Sequence, residues 1–210
     1  MKTIKNFGLF LLVIIGLQVE LLQASSSSIG VGTGAIVDES GSVNNFDQLY
    51  PAQAQGFNLL RKSGADLPPF NDFVRERFDP VKNDYANPVE VFQSALVDAE
   101  NVITKDMKPR FMDILNNAIG GRDDNVMKNT DPIFQYVLEN SHEFGWMRSA
   151  IQAWVNEKIF FCATLLHEAA KYNSVGAAQL LINLGADLEA PDLFGCTPLH
   201  NAVRSNSVGV

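Results

Sequence analysis

Thr197-Pro198-Leu199-His200-Asn201-Ala202 is preceded, 33 residues earlier, by Thr164-Leu165-Leu166-His167-Glu168-Ala169. Threonine, leucine, histidine and alanine stand at the same places in both. The agreement continues without a gap, because Asn173-Ser174-Val175-Gly176 recurs as Asn206-Ser207-Val208-Gly209. A fixed period of this length marks a repeat protein, in which each unit buries its apolar face against its neighbours. The local chemistry is helical. Threonine caps a helix start, and proline at the first helical position loses no hydrogen bond while presetting φ. Leu199 and Ala202, like Leu166 and Ala169, sit three apart on one helical face and are expected to pack between layers.

Between the two hexapeptides, Gln179-Leu180-Leu181 leads into Gly185-Ala186-Asp187-Leu188 and then Asp192-Leu193-Phe194-Gly195. The whole pattern resembles the ankyrin repeat, in which T-P-L-H-x-A opens the first helix, GAD closes the second, and D-x-x-G opens the next unit. Gly185 supplies a left-handed helix end and Gly195 a tight turn. The departures are Leu165 for proline, Cys162 for the opening glycine, Asn173 and Asn206 for the mid-repeat glycine, and Glu189 where asparagine is usual. Asparagine tolerates left-handed dihedrals better than most residues. The resemblance covers a repeat at 161–194 and a partial one at 195–210. It implies an all-α helical solenoid that recognises another protein through the concave face of its turns and first helices. It also makes His167 and His200 structural hydrogen-bonders; metal binding or catalysis is the lesser alternative.

A solenoid unit cannot bury its apolar face alone, and about three are needed for stability. Val210 falls at the start of a second helix, so the missing layers are expected from elsewhere in the chain or beyond it; a truncated gene remnant is one alternative. Residues 130–160 are the natural source. Thr130-Asp131-Pro132-Ile133-Phe134 opens a helix to Asn140 with Phe134, Val137 and Leu138 on one face, and Glu143 to Val155 forms another with Phe144, Met147, Ala150, Ile151 and Trp154 at helical spacing. Asn140-Ser141-His142 sits where a mid-repeat turn belongs, so 130–160 reads as a degenerate capping repeat. Residues 51–129 read as an irregular helical region of unknown role. Helices are expected at 51–63, 70–78, 89–103 and 109–119, the last closed by Gly120-Gly121. Leu59 through Leu67 echoes Leu180 through Leu188, which reads as coincidence, an eroded repeat being the alternative.

The amino terminus has the order of a secretory signal: Lys2 and Lys5, then an apolar run from Phe7 to Leu17, then Ala24-Ser25-Ser26-Ser27-Ser28. Residues 1–26 are therefore expected to be a signal peptide, with an uncleaved anchor as the alternative, and the chain to be secreted or exported. Membrane contact is expected only if this segment stays uncleaved. Residues 27–50 read as a polar linker, Gly30-Val31-Gly32-Thr33-Gly34 included, since it lacks the spacing and lysine of a phosphate loop. Asp38-Glu39-Ser40-Gly41-Ser42 resembles the metal-site entry of a von Willebrand A domain, which would make Asp38, Ser40 and Ser42 ligands. That family needs parallel strands, and the following sequence lacks their pattern.

A formal charge of −8 and a pI near 4.8 argue against nucleic-acid binding, which needs a surplus of Lys and Arg. Cys162 and Cys196 are the whole cysteine complement. They lie near the starts of successive repeats and are read as thiols at small structural positions; a disulfide is the alternative, and two cysteines make no zinc site of the usual type. No nucleophile elbow, H-E-x-x-H or P-loop is present. Asp98, Glu100, Asp123 and Asp124 read as a solvated face. The expectation is no catalytic, cofactor-binding or metal residue, no cofactor, and a protein partner. An enzyme or metal-binding module at 30–129, with the repeats recruiting its substrate, is the alternative.

Overall fold

In a computed structural model, residues 46–77, 88–121 and 125–210 are described, with the backbone alone at 88–92. The readings of 1–26 as a signal, of Gly30–Gly34, and of Asp38, Ser40 and Ser42 lie outside these residues, as do Asp123 and Asp124. The described residues form nine α-helices and two short 3-10 turns and no strand, as the all-α reading expects. None of these helices is long and apolar enough to cross a membrane. The chain divides into two compact units, Met1–Ala99 and Glu100–Val210.

In the first unit, α1 (Phe46–Leu49), α2 (Pro51–Lys62) and α3 (Phe70–Arg77) pack together. Phe57, fully buried, meets Phe73 edge-on at 4.7 Å and Phe70 at 5.5 Å. Burying a side chain of this size contributes about 1.5–3 kcal/mol. The echo at 59–67 acquires a physical explanation here. Ala65 N–H donates to the Leu60 carbonyl at 3.0 Å, as Ala186 N–H does to Leu181 at 2.9 Å. Gly64 and Gly185 take φ of 97° and 89°. Both stretches therefore end a helix by the same left-handed glycine motif. Beyond it they part, since α3 follows within a few residues of Gly64, whereas a loop closed by the Asp192 N–H to Cys196 carbonyl bond follows Gly185.

The helices expected at 89–103 and 109–119 are one. Helix α4 runs Pro88–Gly121 with Pro109 inside it. Proline removes one ladder hydrogen bond and usually breaks a helix. Here the buried stripe crosses it in steps of four: Ile103, Met107, Phe111, Leu115, Ile119. Burial on both sides outweighs the local loss, so the segmentation read from the proline is corrected.

The second unit stacks helix pairs. Helices α5 (Pro132–Glu143) and α6 (Gly145–Val155) pack on each other, as do α7 (Leu165–Tyr172) and α8 (Val175–Asn183), and α9 (Pro198–Arg204) lies on α7. Phe111 stacks on Phe134 at 5.1 Å and touches Trp154 at 5.7 Å, so α4 supplies the apolar backing for the 130–160 segment. Asp131 stands 33 residues before Thr164 and caps α5, accepting from the N–H groups of Ile133 and Phe134 at 3.0 and 3.1 Å. Asn140 is 33 before Asn173 yet stays helical, so α5 is longer than α7. Ser174, fully buried, donates to the Ile119 carbonyl at 2.8 Å. That carbonyl belongs to the last turn of α4, where no intrahelical partner exists.

Leu199 corrects an expectation. Leu166 is 2% exposed and Leu199 67%, although they are repeat equivalents. Helix α9 covers the face of α7 that holds Leu166, and no described residue covers the same face of α9.

Candidate functional site

Each repeat presents a loop ahead of its first helix, and the period of 33 holds down to single hydrogen bonds. Ile159 N–H donates to the Ala163 carbonyl at 2.7 Å, and Asp192 N–H to Cys196 at 2.8 Å. Thr164 N–H donates to His167 Nδ1 at 3.0 Å, and Thr197 N–H to His200 Nδ1 at 3.2 Å. Histidine thus replaces the usual Glu or Gln of a capping box. An accepting Nδ1 leaves the proton on Nε2, which in His167 donates to the Cys196 carbonyl at 3.0 Å. His167 is fully buried, with both ring nitrogens spent on holding one loop to the next helix. His200 repeats the inner bond in an exposed setting.

Among the described residues, four positions have left-handed backbone without being glycine. Asn173 and Asn206 at φ 55° and 52° do what the sequence reading assigned to them. Phe161 and Cys162, at 55° and 58°, are consecutive. Cys162 sits where Gly195 (φ 75°) stands in the next unit, so it takes the glycine's conformation along with its place. Left-handed backbone costs a residue with a Cβ about 1 kcal/mol. Both thiols are free, Cys162 exposed and Cys196 half-buried.

The loops are joined side by side. Leu193 N–H donates to the Phe161 carbonyl at 2.8 Å, and the two phenylalanine rings Phe161 and Phe194 lie 6.3 Å apart. Lys158 Nζ reaches the Pro191 carbonyl at 2.8 Å. At the loop base Asn156 donates to the Gly185 carbonyl at 2.9 Å and accepts from Asp187 N–H at 2.7 Å. Asn156 lies 33 residues before Glu189, the position where asparagine is usual. The sequence reading missed it, though extending the period back by one unit finds it. Asp192 accepts from Cys196 N–H at 2.9 Å and Phe194 N–H at 2.8 Å. These bonds, the Cys196 one foremost, hold its carboxyl below the ordinary range.

The surface so built is apolar at its tips. Phe160 is 87% exposed, Phe194 71%, and Phe161 and Leu193 are also exposed. None of these side chains serves the core. A small groove of about 90 Å³ lies elsewhere, lined by Ser141, His142, Arg148, Gln152 and Gly185 among others. Its guanidinium is already engaged by the Ser141 and His142 carbonyls. Among the described residues no three His, Cys, Asp or Glu side chains converge as a metal site would require. Asp98 pairs with Arg77 at 3.5 Å.

Comparison with known proteins agrees with this geometry. Residues 166–210 match the family model described as ankyrin repeats (many copies). The chain is 47% identical over 47 residues to neurogenic locus notch homolog protein 1 of Xenopus tropicalis, which is 22% of this chain and 2% of that protein. It is 47% identical over 45 residues to neurogenic locus notch homolog protein 2 of Homo sapiens, and equally to that of Mus musculus, covering 21% of this chain and 2% of each. The chain thus spans about 2% of the length of these curated relatives. No solved structure matches it. The segment 166–210 is ankyrin-repeat sequence, and ankyrin repeats in general serve protein–protein interaction.

Proposed function

We propose that this chain binds another protein through the loop face of its ankyrin segment, as an exported adaptor or effector that does no chemistry of its own. The observation that carries the binding reading is the row of exposed phenylalanines on loops whose backbone is locked by repeating hydrogen bonds. A fold spends helix caps, His167 and Asn156 on fixing these loops, yet leaves their largest side chains in water. Exposed apolar patches of this kind mark interaction sites. Support for export is the signal-type order of residues 1–28, and the absence of a catalytic motif supports a non-enzymatic role.

Photo-crosslinking from within the full chain tests the binding reading. A benzophenone side chain at position 194 is expected to give a discrete, saturable crosslink in cell extract, and one at position 62 to give none. Identical labelling from both positions would overturn it. Export is checked separately by expressing the full chain and sequencing the mature amino terminus.

A further inference from the structure

We propose that the partner offers apolar anchors flanked by lysine or arginine, and that these anchors seat on Phe160, Phe161, Leu193 and Phe194. This deepens the reading of the loop face as a protein-binding surface and rests on it. Three observations converge.

The first is the apolar patch. Its two loops are tied by the Leu193–Phe161 backbone bond, which sets the Phe161 and Phe194 rings 6.3 Å apart, with exposed Phe160 and Leu193 next to them in sequence. An aromatic side chain covers roughly 150–250 Å² when buried, so several together reach the scale of a small transient interface. The second is the cost of placing it. Phe161 and Cys162 are held in consecutive left-handed conformations where glycine would be free of strain. Strain observed at an exposed loop that presents aromatic rings points to use of those rings.

The third is charge. The loop from Leu184 to Thr197 carries Asp187, Glu189 and Asp192 and no basic residue. On the neighbouring elements Glu157 pairs with Lys108 at 2.9 Å and Glu168 with Lys171 at 3.2 Å, while Lys158 lies against the Pro191 carbonyl at 2.8 Å and the Arg204 charge acts on Asp192. Asp187 and Asp192 accept from backbone N–H groups, which fixes their carboxylates without neutralising them. With Lys158 and Arg204 beside Asp192, the exposed Asp187 and Glu189 leave this loop with a negative rim, which favours a basic flank and disfavours an acidic one. Sodium and potassium ions screen such a rim, so affinity falls with salt.

Fluorescence polarisation with the full chain tests this using three short labelled peptides. One alternates lysines with leucine and tryptophan; a twin carries glutamate for every lysine; another carries serine for every apolar residue. The first is expected to bind at least about tenfold more tightly than either twin. Its affinity should drop about tenfold in Phe161→Gly/Phe194→Ser and severalfold in Asp187→Asn/Glu189→Gln. All four positions are exposed, and circular dichroism checks that each variant is folded. Should a variant unfold, a photoreactive group on the first peptide reads the site in the unaltered chain, and labelling away from residues 158–164 and 187–197 would sink the proposal. Equal binding of the glutamate twin, or no loss in the variants, also overturns it. The position-194 crosslink decides the broader binding reading independently, so a charge-blind partner captured there would end this inference and spare that one.

Discussion

At the level of single residues, the two copies of one motif make an internal control. Leu166 and Leu199 hold the same position in the repeat and have opposite surroundings, because helix α9 lies over α7. Leu166→Ala is expected to destabilise the chain by about 2–5 kcal/mol, and Leu199→Ala by less than about 1 kcal/mol. Urea titration of both variants checks the contrast, and equal losses would contradict the exposed placement of α9. Phe161 carries a different lesson. Its ring is exposed and its backbone left-handed, so Phe161→Gly removes strain and little burial. The expected result is a gain of roughly 0.5–1 kcal/mol in the same titration. A residue whose removal stabilises the fold is one the fold does not require.

Elements are joined by side chains that serve the backbone of another element. Ser174 stands just before α8, where serine ordinarily caps its own helix, but it donates to Ile119 at the end of α4. Ser174→Ala leaves that buried carbonyl unpaired and should cost about 1–3 kcal/mol, with hydrogen exchange in the last turn of α4 rising more than elsewhere. Asn156 links the end of α6 to the turn after α8 through two bonds of opposite polarity. Asn156→Asp keeps the acceptor and loses the donor, so the Gly185 carbonyl faces a carboxylate. It should destabilise by about 1–3 kcal/mol, more than Asn156→Ala if repulsion dominates, as thermal melts of both would show. Glu189 lacks a donor in the same way. An amide side chain there would restore the asparagine pattern that Asn156 displays. Helix α4 shows the converse case, in which a sequence signal for breaking a helix yields to a buried stripe that continues through it.

For the molecule as a whole, two carboxylates tie acid stability to the repeat segment. Burial raises the Asp131 carboxyl, but the Phe134 N–H, the Arg110 guanidinium at 2.8 Å and the Ile133 N–H more than offset this, leaving it below the ordinary range. Asp192 is held low by its backbone donors. A depressed folded pKa gives stability that is complete above the unfolded value near 4 and is lost as pH falls through the folded value. Unfolding midpoints measured from pH 7 downward should stay flat on this account until about pH 4 and then decline, and Asp131→Asn should flatten that decline. The sequence alone determined the ankyrin segment. Its period is read by comparing residues 33 apart, and its caps and left-handed Asn173 and Asn206 are local chemistry, each legible within one turn of chain. Residues 130–160 share the cap position with the repeat, since Asp131 caps as Thr164 does, but not its turn, since Asn140 stays helical where Asn173 is left-handed. What covers a face is a long-range property. Tertiary structure alone decided that Pro109 lies within a continuous helix, that Ser174 serves α4, that Leu199 is bare where Leu166 is buried, and that phenylalanines from two loops meet on one exposed surface. None of these follows from spacing, since burial depends on which distant residues arrive.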